Sequence, residues 1–280
     1  MKLLPLRSEG LHSALVLSAG EGWNQTAADW RRMIGLEPAG CFAAREGDRL
    51  VGTVTTTTYG DALAWIGMMV VHPDFRRQGI GAALMRLALN HLRERGIATV
   101  KLDATPAGRP LYESLGFVGE VEMERWQGVV VAGRGADPMC PDRESLRDPF
   151  ELDRAAYGVD RSRLLERLVA EGVGEPLVAG SERGDASGYA LARPGRAATY
   201  IGPVIGDDSR SIGRLAEGML ARFAGQEVCL DRHRGGHLEP ELLAQRGLTL
   251  RRSLFRMYHG ARLDAGTARS IGASAGPEFG

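Results

Sequence analysis

From Val70 to Met85 the chain reads Val-Val-His-Pro-Asp-Phe-Arg-Arg-Gln-Gly-Ile-Gly-Ala-Ala-Leu-Met. An apolar run that suits a strand gives way to a short basic loop. The loop opens directly into a stretch with helical spacing. The first turn of a helix has N–H groups without partners in the helix and carries a partial positive charge, so it attracts anions. Gly79 and Gly81 would let a phosphate oxygen approach the main chain with no Cβ in the way. Arg76 and Arg77 would add charge-assisted contacts. The pattern is not the dinucleotide fingerprint, and no Gly-Lys-Ser/Thr follows to make a P-loop. For a Gly-x-Gly alone, a basic turn with glycines kept for packing is the competing reading.

A second cluster lies downstream, at Leu111-Tyr112-Glu113-Ser114-Leu115-Gly116-Phe117. The two segments together resemble the GCN5-related N-acetyltransferases. Val-His-Pro followed by Arg-x-x-Gly-x-Gly is similar to that family's acetyl-CoA pyrophosphate loop, and the second cluster is similar to its later aromatic signature. Trp23-Asn24-Gln25-Thr26-Ala27-Ala28-Asp29-Trp30 resembles the N-terminal segment of a two-domain bacterial subgroup.

The resemblance implies an acetyl group passed from acetyl-CoA to a primary amine by direct attack. No metal and no nucleophilic Ser or Cys is called for. The cofactor-binding set would be Val70, Val71, Arg76, Arg77, Gln78, Gly79, Ile80, Gly81, Ala82 and Thr105. Main-chain N–H groups near Val70 and Val71 would hold the acetyl oxygen. Tyr112 would be the general acid for the departing thiolate, since a phenol can protonate a thiolate whose thiol pKa is about 8.5. Its other reading is a tyrosine packing a helix on the sheet. The amine must be neutral to attack, yet a lysine-like amine has a pKa of about 10.4. Many family members carry a Glu on the strand before the loop, whereas Trp65-Ile66-Gly67-Met68-Met69 holds no acid. Asp103 is the remaining candidate for a base, with loop capping as its alternative. Trp23 and Asn24 would contact the acceptor; burial of Trp23 in the core is equally open.

These residues need a scaffold, and the first 128 residues read as mixed α/β. Helical spacing covers Leu11 to Ser18 and Ala27 to Ile34, with N-cap chemistry in Asn24-Gln25-Thr26. Strands are expected at Cys41 to Arg45, Val51 to Tyr59, Ala64 to Val71 and Thr99 to Ala104, with an amphipathic helix from Gly81 to Arg95 closed by Gly96. Strand, helix and strand in that order imply a right-handed parallel crossover.

Residues 129–147 are rich in Gly and Pro breaks and are read as a linker. The chain then repeats itself. Gly52 after Glu46-Gly47-Asp48 recurs as Gly188 after Arg183-Gly184-Asp185. Ile66-Gly67 recurs as Ile201-Gly202, and Val100-Lys101-Leu102-Asp103 as Val228-Cys229-Leu230-Asp231. Gly116-Phe117 recurs as Gly247-Leu248, and the segment at Arg125 as that at Met257, with offsets from 128 to 136 throughout. Ordered matches at one spacing predict a duplicated domain over 148–262. Its cofactor loop is eroded: Arg210-Ser211-Ile212-Gly213 keeps one glycine, and Asp207-Asp208 would repel a pyrophosphate. Asp231-Arg232-His233 with His237 is read as a polar loop, not a metal site. Residues 263–280 form a Gly-, Ala- and Ser-rich tail, with Ile271 and Phe279 as its apolar anchors.

Among 280 residues, Lys+Arg and Asp+Glu number 35 each, so no global basic field favours nucleic acid or an anionic membrane. Three scattered cysteines give neither a disulfide framework nor a zinc pattern, which points to a reducing compartment. The apolar start of Met-Lys-Leu-Leu-Pro-Leu-Arg-Ser-Glu-Gly is broken by Arg7 and Glu9 before a leader can form. The expectation is a cytoplasmic monomer or homodimer with tandem α/β domains, acting on a small-molecule amine. A non-catalytic acyl-CoA sensor and a protein-lysine acetyltransferase are the alternatives.

Overall fold

The structure, a computed structural model, describes residues 1–133, 147–180, 186–263 and 268–280. Cys140, most of the linker, the copy turn Arg183-Gly184-Asp185 and residues 264–267 lie outside the described residues.

The first half runs β1 (Lys2–Pro5), α1 (Leu11–Gly20), α2 (Ala27–Leu36), β2 (Phe42–Glu46), β3 (Arg49–Tyr59), β4 (Leu63–Val71), α3 (Ile80–Glu94), β5 (Thr99–Ala104), α4 (Arg109–Ser114) and β6 (Val118–Val129). The second half runs α5 (Arg147–Tyr157), α6 (Ser162–Ala170), β7 (Leu177–Gly180), β8 (Ala186–Arg193), β9 (Thr199–Gly206), α7 (Ser209–Arg222), β10 (Glu227–His233), α8 (Pro240–Gln245), β11 (Thr249–Gly260) and β12 (Ile271–Ala273). The mixed α/β class and the elements read from periodicity are present. The apolar N-terminal run makes β1, paired antiparallel with β2.

The chain forms two compact units. Unit 1 holds Met1–Glu120, Phe255–Leu263 and Glu278–Gly280; unit 2 holds Val121–Leu254 and Asp264–Pro277. These units cross the boundary drawn from sequence at residue 128. Most of β6 belongs to unit 2, and the end of β11 belongs to unit 1, so each unit takes strand residues from the other half.

One kind of ion pair anchors both guest strands. In unit 1, Arg256 of β11 donates from Nε and a terminal nitrogen to the two oxygens of Asp103 on β5, at 2.9 and 3.0 Å. In unit 2, Arg125 of β6 makes the same fork with Asp231 on β10, at 2.7 and 2.5 Å. Each guanidinium also lies over an aromatic ring of its unit's middle strand, Trp65 at 4.5 Å and Tyr200 at 5.7 Å. Paired this way, an otherwise costly buried charge is satisfied in geometry and hydrogen bonding.

In unit 1 the strand order is β1-β2-β3-β4-β5-β11, antiparallel except for the parallel pair β4–β5. Side chains alternate across the sheet. Ala64 and Ile66 of β4 join Leu84, Met85, Ala88 and Leu92 of α3 in one core cluster. Thr55, paired with Gly67, points the other way, and its hydroxyl donates to Met33 Sδ of α2 at 3.6 Å. Trp65 and Gly67 therefore share the face covered by α1 and α2. A capping box opens α2: the Thr26 hydroxyl accepts from Asp29 N, and Asp29 accepts from Thr26 N.

Candidate active site

The site is built where β4 leaves β5. Their parallel pairing covers only Leu63–Thr99, Ala64–Val100 and Trp65–Lys101. Beyond Trp65 the two strands part, and the main chain of β4 faces the gap. At the same place β4 bulges against β3: Thr53 pairs with Val70 and Thr55 with Gly67, so Met68 and Met69 together oppose Val54. Met68 takes φ 49°, the left-handed region, and Thr53 Oγ1 donates to Met68 O at 2.8 Å. A bulge of this kind re-aims main-chain groups, here just before Val70 and Val71.

The basic loop follows. His72 Nδ1 accepts from Asp74 N at 3.3 Å, starting a 3-10 turn at Pro73–Phe75. Arg77 and Gly79 both take positive φ, 61° and 80°. Gly79 is the N-cap of α3 and offers no side chain to it; a Cβ there would meet open space. The first bond of the helix runs from Ala83 N to Gly79 O at 3.0 Å. Earlier N–H groups, at Ile80, Gly81 and Ala82, have no carbonyl within the helix to reach. Arg76 is engaged elsewhere: it donates to Val71 O at 2.9 Å and pairs with Glu21. It therefore ties the loop to the end of α1, while Arg77 and Gln78 are exposed beside the helix start. Gln78 Nε2 donates to Asp74 O at 3.3 Å.

Tyr112 sits on α4 among Leu102, Ala104 and Phe117 of the same core cluster. Its ring is edge-on to Phe117, with centroids 6.0 Å apart. Thr105 Oγ1 accepts from Gly108 N at 3.1 Å and shapes the turn that starts α4. Burial pushes the Tyr112 phenol up to about 12. Full proton transfer from that phenol to a thiolate of thiol pKa about 8.5 would be uphill by roughly 3.5 units.

Asp103 has both oxygens engaged by Arg256, and its side chain is fully buried. It anchors β11 and braces the cation over Trp65. Trp30 is wholly buried on α2 and donates from Nε1 to Ser18 at 3.2 Å, whereas Trp23 and Asn24 are half-buried in the loop before α2.

The segment Glu278–Gly280 lies on β4 of unit 1; sequence reasoning singled out Phe279 as an anchor of the tail but not Glu278. A Cβ on Gly67 would come within 2.7 Å of Glu278 Cα, and one on Gly280 within 2.5 Å of the Trp65 ring. Tyr59 OH donates to Phe279 O at 2.7 Å, and Gln25 Nε2 donates to Glu278 Oε2 at 2.8 Å. Phe279 is fully buried, with the Arg32 guanidinium 5.6 Å from its ring centroid. The signal available in sequence was Phe279, an isolated aromatic in a tail of small residues.

Unit 2 has the same parts in another state. β9 and β10 are parallel only at Thr199–Val228 and Tyr200–Cys229, and β12 then enters between them, antiparallel to both. The N-terminus of α7 is capped by Asp208, whose carboxylate accepts from Ser211 N at 2.7 Å. That main-chain bond holds the Asp208 carboxyl below its usual range. Among the described residues, no three His, Cys, Asp or Glu side chains gather to hold a metal, and no helix is long and apolar enough to cross a membrane.

Residues 10–117 match the Acetyltransferase (GNAT) family, and residues 150–270 match a second Acetyltransferase (GNAT) domain family. The N-acetyltransferase YitH of Bacillus subtilis, itself uncharacterized, is 26% identical over 227 residues, 78% of each chain. A mycothiol acetyltransferase of Thermomonospora curvata is 38% identical over 85 residues, which is 29% of each chain. Among solved structures, an acetyltransferase assignment from Pyrococcus horikoshii aligns with TM-score 0.83 at 21% identity, over 100% of this chain and 95% of that one. A tandem GNAT protein from the clavulanic acid biosynthesis pathway aligns with TM-score 0.62 at 18% identity, over 93% and 98%. These last two are likenesses of fold. With both halves matched to GNAT families and each built on a parted parallel strand pair, the chain belongs to the GNAT family and is an acetyltransferase with two GNAT domains.

Proposed function

We propose that the chain moves an acetyl group from one bound acetyl-CoA, held by unit 1, to a primary amine on a small molecule. The observation that carries this reading is the uncapped start of α3 directly after the bulged end of β4. Acetyl-CoA supplies an activated acetyl thioester and a pyrophosphate. The free N–H groups of Ile80, Gly81 and Ala82 suit the pyrophosphate, and Gly79 and Gly81 keep the approach clear. The N–H groups of β4 that face the gap suit the acetyl oxygen. The Tyr112 phenol, protonated at physiological pH, suits the sulfur as it takes up negative charge.

A small acceptor is favoured by Glu278–Gly280, which covers part of the face of β4 shared with α1 and α2. A protruding protein lysine needs that face open. The test is a panel of small amines and lysine-containing proteins, read as CoA release. Amine-dependent release with small molecules supports the reading. Binding of acetyl-CoA without any turnover would favour a sensor, and efficient acetylation of folded proteins alone would favour a protein acetyltransferase.

A further inference from the structure

Direct attack on a thioester requires a neutral amine, and the acceptor arrives as an ammonium ion at neutral pH. Some group must therefore take its proton. On the face of β4 shared with α1 and α2 the strand offers Trp65 and Gly67, and past the bulge Met69 packs toward α3; none of these can do so. On β5, Asp103 is spent on Arg256. The acid whose main chain the fold lays on this strand comes from the far end of the sequence. Glu278 is 2% exposed, and its backbone lies where a side chain on Gly67 would be. Gly67 immediately precedes the bulged Met68 and lies beyond the last β4–β5 pair. The absence of a side chain at Gly67 is thus matched by an acid delivered onto the same spot from outside the strand.

Three contacts show that the delivery is built and not incidental. Tyr59 holds the main chain at Phe279, the Phe279 ring is buried near Arg32, and Gly280 lies flat on Trp65. Gln25, in the loop that also carries Trp23 and Asn24, holds Glu278 Oε2. A hydrogen bond donated to a carboxylate favours its charged form.

We propose that Glu278 is the general base of unit 1 and the group that receives the acceptor as an ammonium ion. The proposal rests on the acetyltransferase reading given above. The proton passes from the ammonium nitrogen to a Glu278 carboxylate oxygen. The freed lone pair forms the C–N bond as the C–S bond breaks, the electron pair leaves on sulfur, and the nitrogen gives up its second proton to solvent. The thiolate then takes up a proton from solvent, and Glu278 returns its own to solvent. The net products are the amide, CoA and one proton.

The test compares ethylamine with trifluoroethylamine, whose fluorines leave it largely uncharged near neutral pH. Glu278→Gln should slow single-turnover acetylation of ethylamine by about 10²–10⁴-fold, the usual range for one general base. It should slow trifluoroethylamine far less, and leave the acetyl-CoA dissociation constant and the melting temperature unchanged. Equal losses for both amines, or none for either, would overturn the proposal. If Glu278→Gln does not fold, Gln25→Leu decides the matter. Without its donor the carboxylate becomes more basic, so the acid limb of kcat/KM should move to higher pH; an unmoved limb overturns the assignment. If wild-type protein turns over neither these amines nor any other small amine, the acetyltransfer reading itself has failed and the proposal goes with it.

Discussion

In unit 1, β4 and β5 part after Trp65 and Lys101, and no described strand runs between them. In unit 2, β9 and β10 part after Tyr200 and Cys229, and β12 fills the opening with its own main chain. The helix that follows is uncapped in unit 1 and capped by Asp208 in unit 2. Both features of unit 2 satisfy internally what unit 1 leaves for a ligand. The lesson concerns polar accounting: parted strands and a bare helix start expose main-chain donors, and such donors must find partners. One copy finds them within the chain; on the reading proposed above, an anion and a carbonyl supply them in the other.

The sharpest way to break the comparison is to close unit 1 by mutation. A Cβ on Gly81 would meet Met69 Cε at 3.0 Å and Leu111 Cδ2 at 3.4 Å, both flexible ends, so a side chain there is tolerated by the fold. Gly81→Glu puts a negative charge at the start of α3, as Asp208 does for α7. Acetyl-CoA binding by isothermal titration should be abolished, with the melting temperature largely kept. Retained affinity would mean that the helix start is not the anion site.

Tyr112→Phe comes next. Losing the phenol's hydrogen bond to the leaving sulfur should lower single-turnover rates by about 10²-fold or more, while acetyl-CoA affinity holds. The pH profile sharpens this. Burial holds the phenol's pKa at about 12. Tyr112 therefore stays protonated below that value, and wild-type kcat should show no alkaline loss from this group up to about pH 11. A limb near pH 10 that vanishes in Tyr112→Phe would show a phenol in water-like surroundings.

The matched ion pairs test how alike the units are underneath. Asp103→Asn and Asp231→Asn each strand a buried arginine, and each should cost about 3–5 kcal/mol in denaturant unfolding. A large loss in one and none in the other would undo the parallel. Burial alone would raise the Asp231 pKa, but the Arg125 guanidinium outweighs it and holds the carboxyl below its usual range. A depressed native pKa gives stability that is present above about pH 4 and lost as pH falls through the native value. Asp231→Asn should remove that part of the acid sensitivity.

Much of unit 1 was legible in the sequence, for physical reasons that differ by element. The β4–loop–α3 unit could be read because apolar strand, glycines and amphipathic helix follow one another within 25 residues, Leu63 to Leu87. Tyr112 could be read from its neighbours in the same way. The ion pair of Asp103 could not be read, since its partner Arg256 is 153 residues away and nothing local to Asp103 announces it. The repeat gave away the duplication yet hid the exchange of β6 and the end of β11, because either assignment of those strands preserves the same sequence pattern. Glu278 was invisible for a related reason. A lone acid among Gly, Ala and Ser has no period, and only the fold brings it to Gly67. The same holds for β12, a run of three small or aliphatic residues that becomes a strand by entering a gap.

The smallest effect expected is in unit 2. Asp208→Ala should cost about 1 kcal/mol as the cap of α7 is lost. It should not create an acetyl-CoA site, because β12 still fills the space between β9 and β10.

The central claim is that one copy is open and the other closed. Isothermal titration of the wild-type chain with acetyl-CoA tests it most directly. The account predicts a single site per chain, lost in Gly81→Glu. Two equivalent sites, or a site that survives Gly81→Glu, would contradict it.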